Sequence, residues 1–126
     1  TDECGEPNAF AVQVAVTAFR YGGEWLDELR KYIYGNKQFV KKFLSENIPE
    51  IKPVISEATY LLWLDCSDLN INSKELAGHI RKSTGLYLSD GVQFGNGENF
   101  LRMNIACPRT IIEDGLSRLK KSVEML

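Results

Sequence analysis

Phe100-Leu101-Arg102-Met103-Asn104-Ile105 is the clearest strand in the chain, and the rest of the fold can be read outward from it. Side chains in a strand alternate between faces. Leu101, Met103 and Ile105 therefore point one way, toward a layer of helices. Phe100, Arg102 and Asn104 point the other way. An arginine in mid-strand is disfavoured unless its charge reaches water or an anion. The pattern leaves two readings of Arg102 open. It lies on the wet face of a one-sided sheet, or it is a guanidinium fork on a rigid strand. Such a fork binds a carboxylate through two parallel hydrogen bonds, which lysine cannot match.

Downstream, Pro108 ends the strand and Thr110-Ile111-Ile112-Glu113 reads as a capping box. The helix that follows sets Ile112, Leu116, Leu119, Val123 and Leu126 on one face. Upstream, Leu86–Leu88 and Val92–Phe94 are short strand candidates around an Asp90-Gly91 turn, and Asn96-Gly97 is a second turn signal. Asn72 or Ser73 can cap a helix that runs through Thr84, with Glu75 in its first turn and Gly85 as a left-handed stop. Residues 59–64, Thr-Tyr-Leu-Leu-Trp-Leu, have the length and composition of a buried strand. Pro49 and Pro53 mark an extended connection before it.

Two helices come first. Residues 24–47 carry Leu26, Leu29, Ile33, Val40 and Phe43 at steps of three and four, with Asn36 in the one gap. The period continues in phase across Gly35, so one long helix is expected. Before the Gly22-Gly23 break, residues 8–21 form a helix apolar around most of its girth, with only Gln13, Thr17 and Arg20 as a thin polar stripe. Such a helix expects cover on several sides. It crosses the middle of the domain, or a missing neighbour covers it, or an apolar patch is exposed. The order of elements gives an α/β (α+β) two-layer sandwich. A small, mostly antiparallel sheet carries helices on one face, with a long helix before it, all in a single domain over residues 1–126.

Composition narrows function mainly by exclusion. The net charge of −2 lacks the basic footprint of a nucleic-acid binder, and no apolar run approaches the ~20 residues of a membrane helix. The polar, acidic start is not a signal peptide, and it lacks methionine, as expected of a chain that begins inside a larger protein or after processing. Cys4, Cys66 and Cys107 are odd in number and widely spaced, which argues for reduced thiols rather than disulfides or zinc. His79 has no second histidine and reads as a helix-surface residue. Gly91, Gly95 and Gly97 match no phosphate-loop spacing and read as a flexible loop. Tyr60 and Trp63 read as core. Lys31, Lys41, Lys42 and Lys74 sit on charged or exposed helix positions, unsuited to a Schiff-base nucleophile. No metal site and no catalytic pair is recognisable.

The run from Phe94 to Arg109, Phe-Gly-Asn-Gly-Glu-Asn-Phe-Leu-Arg-Met-Asn-Ile-Ala-Cys-Pro-Arg, resembles the C-terminal signature of the MalY/PatB-type cystathionine β-lyase family. That family belongs to the class I/II aminotransferase superfamily, fold type I among pyridoxal-phosphate (PLP) enzymes. Residues 21–29, Tyr-Gly-Gly-Glu-Trp-Leu-Asp-Glu-Leu, resemble the start of its small domain, and residues 57–65 its strand entering the small-domain sheet. The similarity spans about residues 7 to 124. It implies an aminotransferase small domain at 23–126, preceded by an interdomain helix segment at 1–22.

The resemblance also implies that Arg102 binds the substrate's α-carboxylate, with Phe94 and Asn104 as secondary candidates for facing the site. Pyridoxal 5'-phosphate is implied for the parent enzyme, held mainly by a large domain upstream of Thr1. None is expected here, because the Schiff-base lysine lies in that domain, so the fragment alone is expected to be inactive. The parent would be a cytoplasmic homodimer acting on an amino acid and releasing a thiol, pyruvate and ammonia. In the family the first helix would run beside the large domain and the hinge, so here it would be partly uncovered or covered by a second copy of the chain. Alternatives are the same domain of a class I/II aminotransferase, which Arg102 serves equally, and a non-catalytic α/β binding module.

Overall fold

The computed structural model describes residues 8–126. The chain divides into two units, residues 1–32 and 33–126. In the first unit, α1 (Ala9–Tyr21) is started by Asn8, whose side-chain oxygen accepts the Ala11 N–H at 2.9 Å. α1 has no buried residue: Phe10 is 84% and Phe19 93% exposed. The apolar girth read from the sequence is thus an exposed patch. Helix α2 (Gly23–Asn47) begins in this unit and continues into the second as the one long helix the periodicity predicts.

The second unit is built on a four-stranded antiparallel sheet in the order β1-β2-β4-β3. Its strands are β1 (Lys52–Pro53), β2 (Leu61–Asp65), β3 (Ser89–Asp90) and β4 (Phe100–Asn104). Pro53 lies in an edge strand, where its missing N–H costs no ladder bond. β2 and β4 pair from Leu61↔Asn104 to Asp65↔Phe100. That register puts Leu62, Leu64, Leu101 and Met103 on the inner face, all buried.

Helix α3 (Ser73–Thr84) and helix α4 (Arg109–Val123) join the later part of α2 on that face. Val40 and Leu44 of α2, Leu76 and Ile80 of α3, and Ile112, Leu116 and Leu119 of α4 share one core with the sheet leucines. The expected two-layer sandwich with helices on one face is present. So are the Asn72 cap, which accepts the Lys74 N–H at 2.9 Å, and the left-handed Gly85 stop at φ 75°.

Three local expectations need correction. Val92–Phe94 is not a strand, and Leu86–Leu88 lies just before one. Strand β3 falls on Ser89–Asp90, and Gly91–Phe94 is a 3-10 turn. The Asp90 carboxylate accepts the Val92 N–H at 3.0 Å and so turns the chain one residue after the strand. The capping box at Thr110 is not used. The Pro108 carbonyl opens α4 earlier by accepting the Ile111 N–H at 3.0 Å, with no side-chain cap. Tyr60 and Trp63 are not core: Tyr60 is exposed, and Trp63 is half-buried on the outer face of the sheet. Leu62 and Leu64 fill the inward positions of β2, so alternation turns Trp63 outward.

Candidate functional site

The outer face of the sheet carries the site. Arg102 sits in an inner strand, paired across the ladder with Trp63 on one side and Ser89 on the other. Directly opposed residues point to the same face, so the guanidinium rises from a platform fixed on both sides by backbone pairing. Its carbon lies 3.9 Å from the centre of the Phe94 ring. Trp63 meets Phe94 edge-on at 5.5 Å and Phe100 at 6.4 Å, both near-perpendicular contacts. Arg102 thus stands among three aromatic rings.

The Arg102 guanidinium makes no hydrogen bond or ion pair among the described residues. No buried side-chain nitrogen or oxygen there lacks a partner either. Its N–H groups therefore remain open to solvent or ligand while its flat face rests on an aromatic ring. A fork in that state can accept a carboxylate without first breaking an internal ion pair.

The segment that holds Phe94 is tightly built. Ser73 Oγ donates to Asp90 Oδ1 at 2.8 Å and lies 3.0 Å from the Gly97 carbonyl, tying the turn to the start of α3. Gly91 and Gly97 are pressed together: a Cβ on Gly91 would sit 2.3 Å from the Gly97 oxygen. Gly95 turns the chain immediately after Phe94 at φ 112°, a conformation side chains avoid. Close backbone packing and this turn account for the glycines. Asn104 lies on the same strand as Arg102, and its side-chain oxygen accepts the Ala106 N–H at 2.8 Å, shaping the corner after β4.

A second polar cluster anchors that corner. Asn36 is fully buried, donates to the carbonyls of Ile105 at 3.0 Å and Cys107 at 3.1 Å, and accepts from Arg109 Nε at 2.9 Å. The Arg109 guanidinium lies over Phe39 at 4.3 Å. His79 is half-buried rather than on the open helix surface, with Nε2 2.9 Å from the Ser122 carbonyl. Burial pushes the Cys66 thiol up to about 12, with the Asp65 carboxylate adding to the effect. Burial also raises Cys107. Both are free thiols, whereas Cys4 lies outside the described residues.

The described residues do not fit a PLP site of their own. No described lysine is buried, and the half-buried Lys37 donates to the Ser56 carbonyl at 2.6 Å. The glycine turn closes on itself rather than around a phosphate. Among the described residues no group of side chains could hold a metal ion, and no helix is long and apolar enough to cross a membrane.

The α+β fold matches the small domain of aminotransferase-like PLP proteins. Cystalysin from Treponema denticola, whose crystal structure contains pyridoxal 5'-phosphate, superposes with a TM-score of 0.89 at 31% identity, over 94% of this chain and 30% of its own. The PLP-bound C–S lyase from Staphylococcus hominis gives 0.83 at 30% identity, over 92% of this chain and 31% of its own. By sequence the chain is similar to cystathionine β-lyase PatB of Bacillus subtilis (strain 168), with 38% identity over 120 residues, 94% of this chain and 31% of PatB. No family model matches. The chain spans about a third of the length of the curated relatives it matches.

Proposed function

We propose that this chain serves as the small domain of a PLP-dependent carbon–sulfur β-lyase and contributes Arg102 as the group that binds the substrate's α-carboxylate. The observation that carries this reading is the open guanidinium: it rises from an inner strand, lies on an aromatic ring and makes no hydrogen bond or ion pair within the described chain. The similarity to PatB and to PLP-bound C–S lyases supports an amino-acid substrate for that fork. The part of the enzyme outside this chain would hold the cofactor, which when bound supplies the electron sink for carbanion chemistry. Arg102 grips the carboxylate with two parallel hydrogen bonds and so fixes how the Cα–H bond is presented to the base. The products would be a thiol, pyruvate and ammonia. Residues 1–22 would form the interdomain segment, with the exposed rings of α1 covered by the large domain of a homodimeric, cytoplasmic parent.

The test uses the full-length enzyme that contains this chain, loaded with PLP and given L-cystathionine without a keto acid. Pyruvate and ammonia are expected at catalytic rates. Arg102→Ala is expected to raise KM about 10- to 100-fold. Amino transfer on adding a keto acid, with no pyruvate, would move the parent to the aminotransferases. An unchanged kcat/KM in Arg102→Ala would remove Arg102 from the site.

A further inference from the structure

We infer that Phe94 is a positioning residue for the Arg102 guanidinium, holding the fork in its carboxylate-binding orientation through its ring face. This rests on the reading of Arg102 as the carboxylate group. An arginine on a strand has several rotatable bonds, and Arg102 has no hydrogen bond within the described residues to fix the last of them. What it has is the Phe94 ring, 3.9 Å from the guanidinium carbon. A ring at that distance attracts the cation and limits its rotation while leaving the N–H groups at its rim free to donate.

The ring is itself held. Trp63 meets Phe94 edge-on at 5.5 Å. The Asp90 cap, the Ser73 tether, the pressed Gly91–Gly97 backbone and the positive φ of Gly95 fix the short turn that carries it. Phe94 remains 46% exposed, so little core burial explains a large aromatic residue there. The turn uses three glycines and a buried carboxylate contact to present one ring to one arginine. Fixing the fork before substrate arrives lowers the ordering needed at binding, so the effect should fall on substrate affinity more than on turnover.

The experiment is a double-mutant cycle in the full-length, PLP-loaded enzyme with L-cystathionine, reading kcat and KM separately. Phe94→Leu keeps an apolar side chain but removes the ring. It is expected to raise KM about 3- to 30-fold with a smaller change in kcat. Phe94→Tyr, which keeps the ring face, is expected to recover most of that loss. In the Arg102→Ala background, Phe94→Leu is expected to change KM less than about twofold, because a residue that acts through Arg102 has nothing left to position. A silent Phe94→Leu, a loss that Phe94→Tyr does not recover, or an equal loss with Arg102 absent would each overturn the inference and leave the carboxylate role standing. If Arg102→Ala itself leaves kcat/KM unchanged, the carboxylate role fails and this inference fails with it.

Discussion

Arg102 and Arg109 sit seven positions apart and rest on phenylalanine rings at similar distances, 3.9 and 4.3 Å, yet they occupy different kinds of site. Arg109 is committed. Its Nε donates to Asn36, and Asn36 ties two carbonyls of the corner after β4. Arg102 stands on the open face of the sheet with no internal hydrogen bond among the described residues. The contrast shows that stacking on an aromatic ring does not by itself mark a functional arginine. What separates a structural pin from a binding fork is whether the N–H groups are already taken.

That contrast can be tested from the structural side. Asn36→Ala removes three hydrogen bonds and leaves the buried Ile105 and half-buried Cys107 carbonyls without that partner. It is expected to lower stability by about 2–4 kcal/mol in urea unfolding. A loss below about 0.5 kcal/mol would mean that the corner is not pinned there. The effect on substrate KM should be small beside that of Arg102→Ala.

The thiols sharpen the same division between sealed and open groups. Burial raises both, and Cys66 reaches about 12, so at pH 8 it stays a neutral, shielded thiol. Iodoacetamide with peptide mapping should label the half-buried Cys107 well before Cys66 in the native protein, and both at similar rates after unfolding. Because the folded thiol is raised, its contribution to stability is complete below its ordinary value of 9.0 and is lost as pH rises from there toward 12. Native labelling of Cys66 at the rate of Cys107 would contradict its burial.

The smallest effect lies at the end of β2. Asp65 Oδ1 accepts from the Ser67 hydroxyl at 2.6 Å and its N–H at 2.9 Å, which holds the carboxyl below its ordinary 3.8. A lowered carboxyl stabilises the fold above that value and loses its contribution as pH falls through the folded value. Ser67→Ala should therefore cost well under ~1 kcal/mol at pH 7, since the group faces water. The difference should shrink as pH falls below 3.8 and vanish in acid unfolding below the folded value. A difference that persists there would assign the effect to packing.

Much of the fold was legible because alternation and helical period are local signals. Leu101 and Met103 gave the inner face of β4, Asn72 and Gly85 bounded α3, and the phase across Gly35 predicted one long α2. The same alternation would have turned Trp63 outward, but reading its apolar run as fully buried hid it. The turn at 91–94 was missed because its strand-like Val92-Gln93-Phe94 is overruled by the Asp90 side chain and by backbone packing from Gly97, and a local pattern records neither. Arg102 was found in the strand itself. The pattern alone could not choose between a wet face and an anion fork, because the Phe94 ring beneath it comes from a turn eight residues away. Asn36 was seen only as a gap in a stripe, since its partners lie some seventy positions further along.

The central claim is that Arg102 recognises substrate rather than supporting the fold, and Arg102→Lys in the full-length enzyme tests it most directly. Lysine keeps the charge but loses the planar fork. The account predicts that kcat/KM for L-cystathionine falls about tenfold or more while the unfolding free energy from urea titration stays within about 0.5 kcal/mol of the parent. An unchanged kcat/KM, or a loss of stability on the scale of Asn36→Ala, would contradict it.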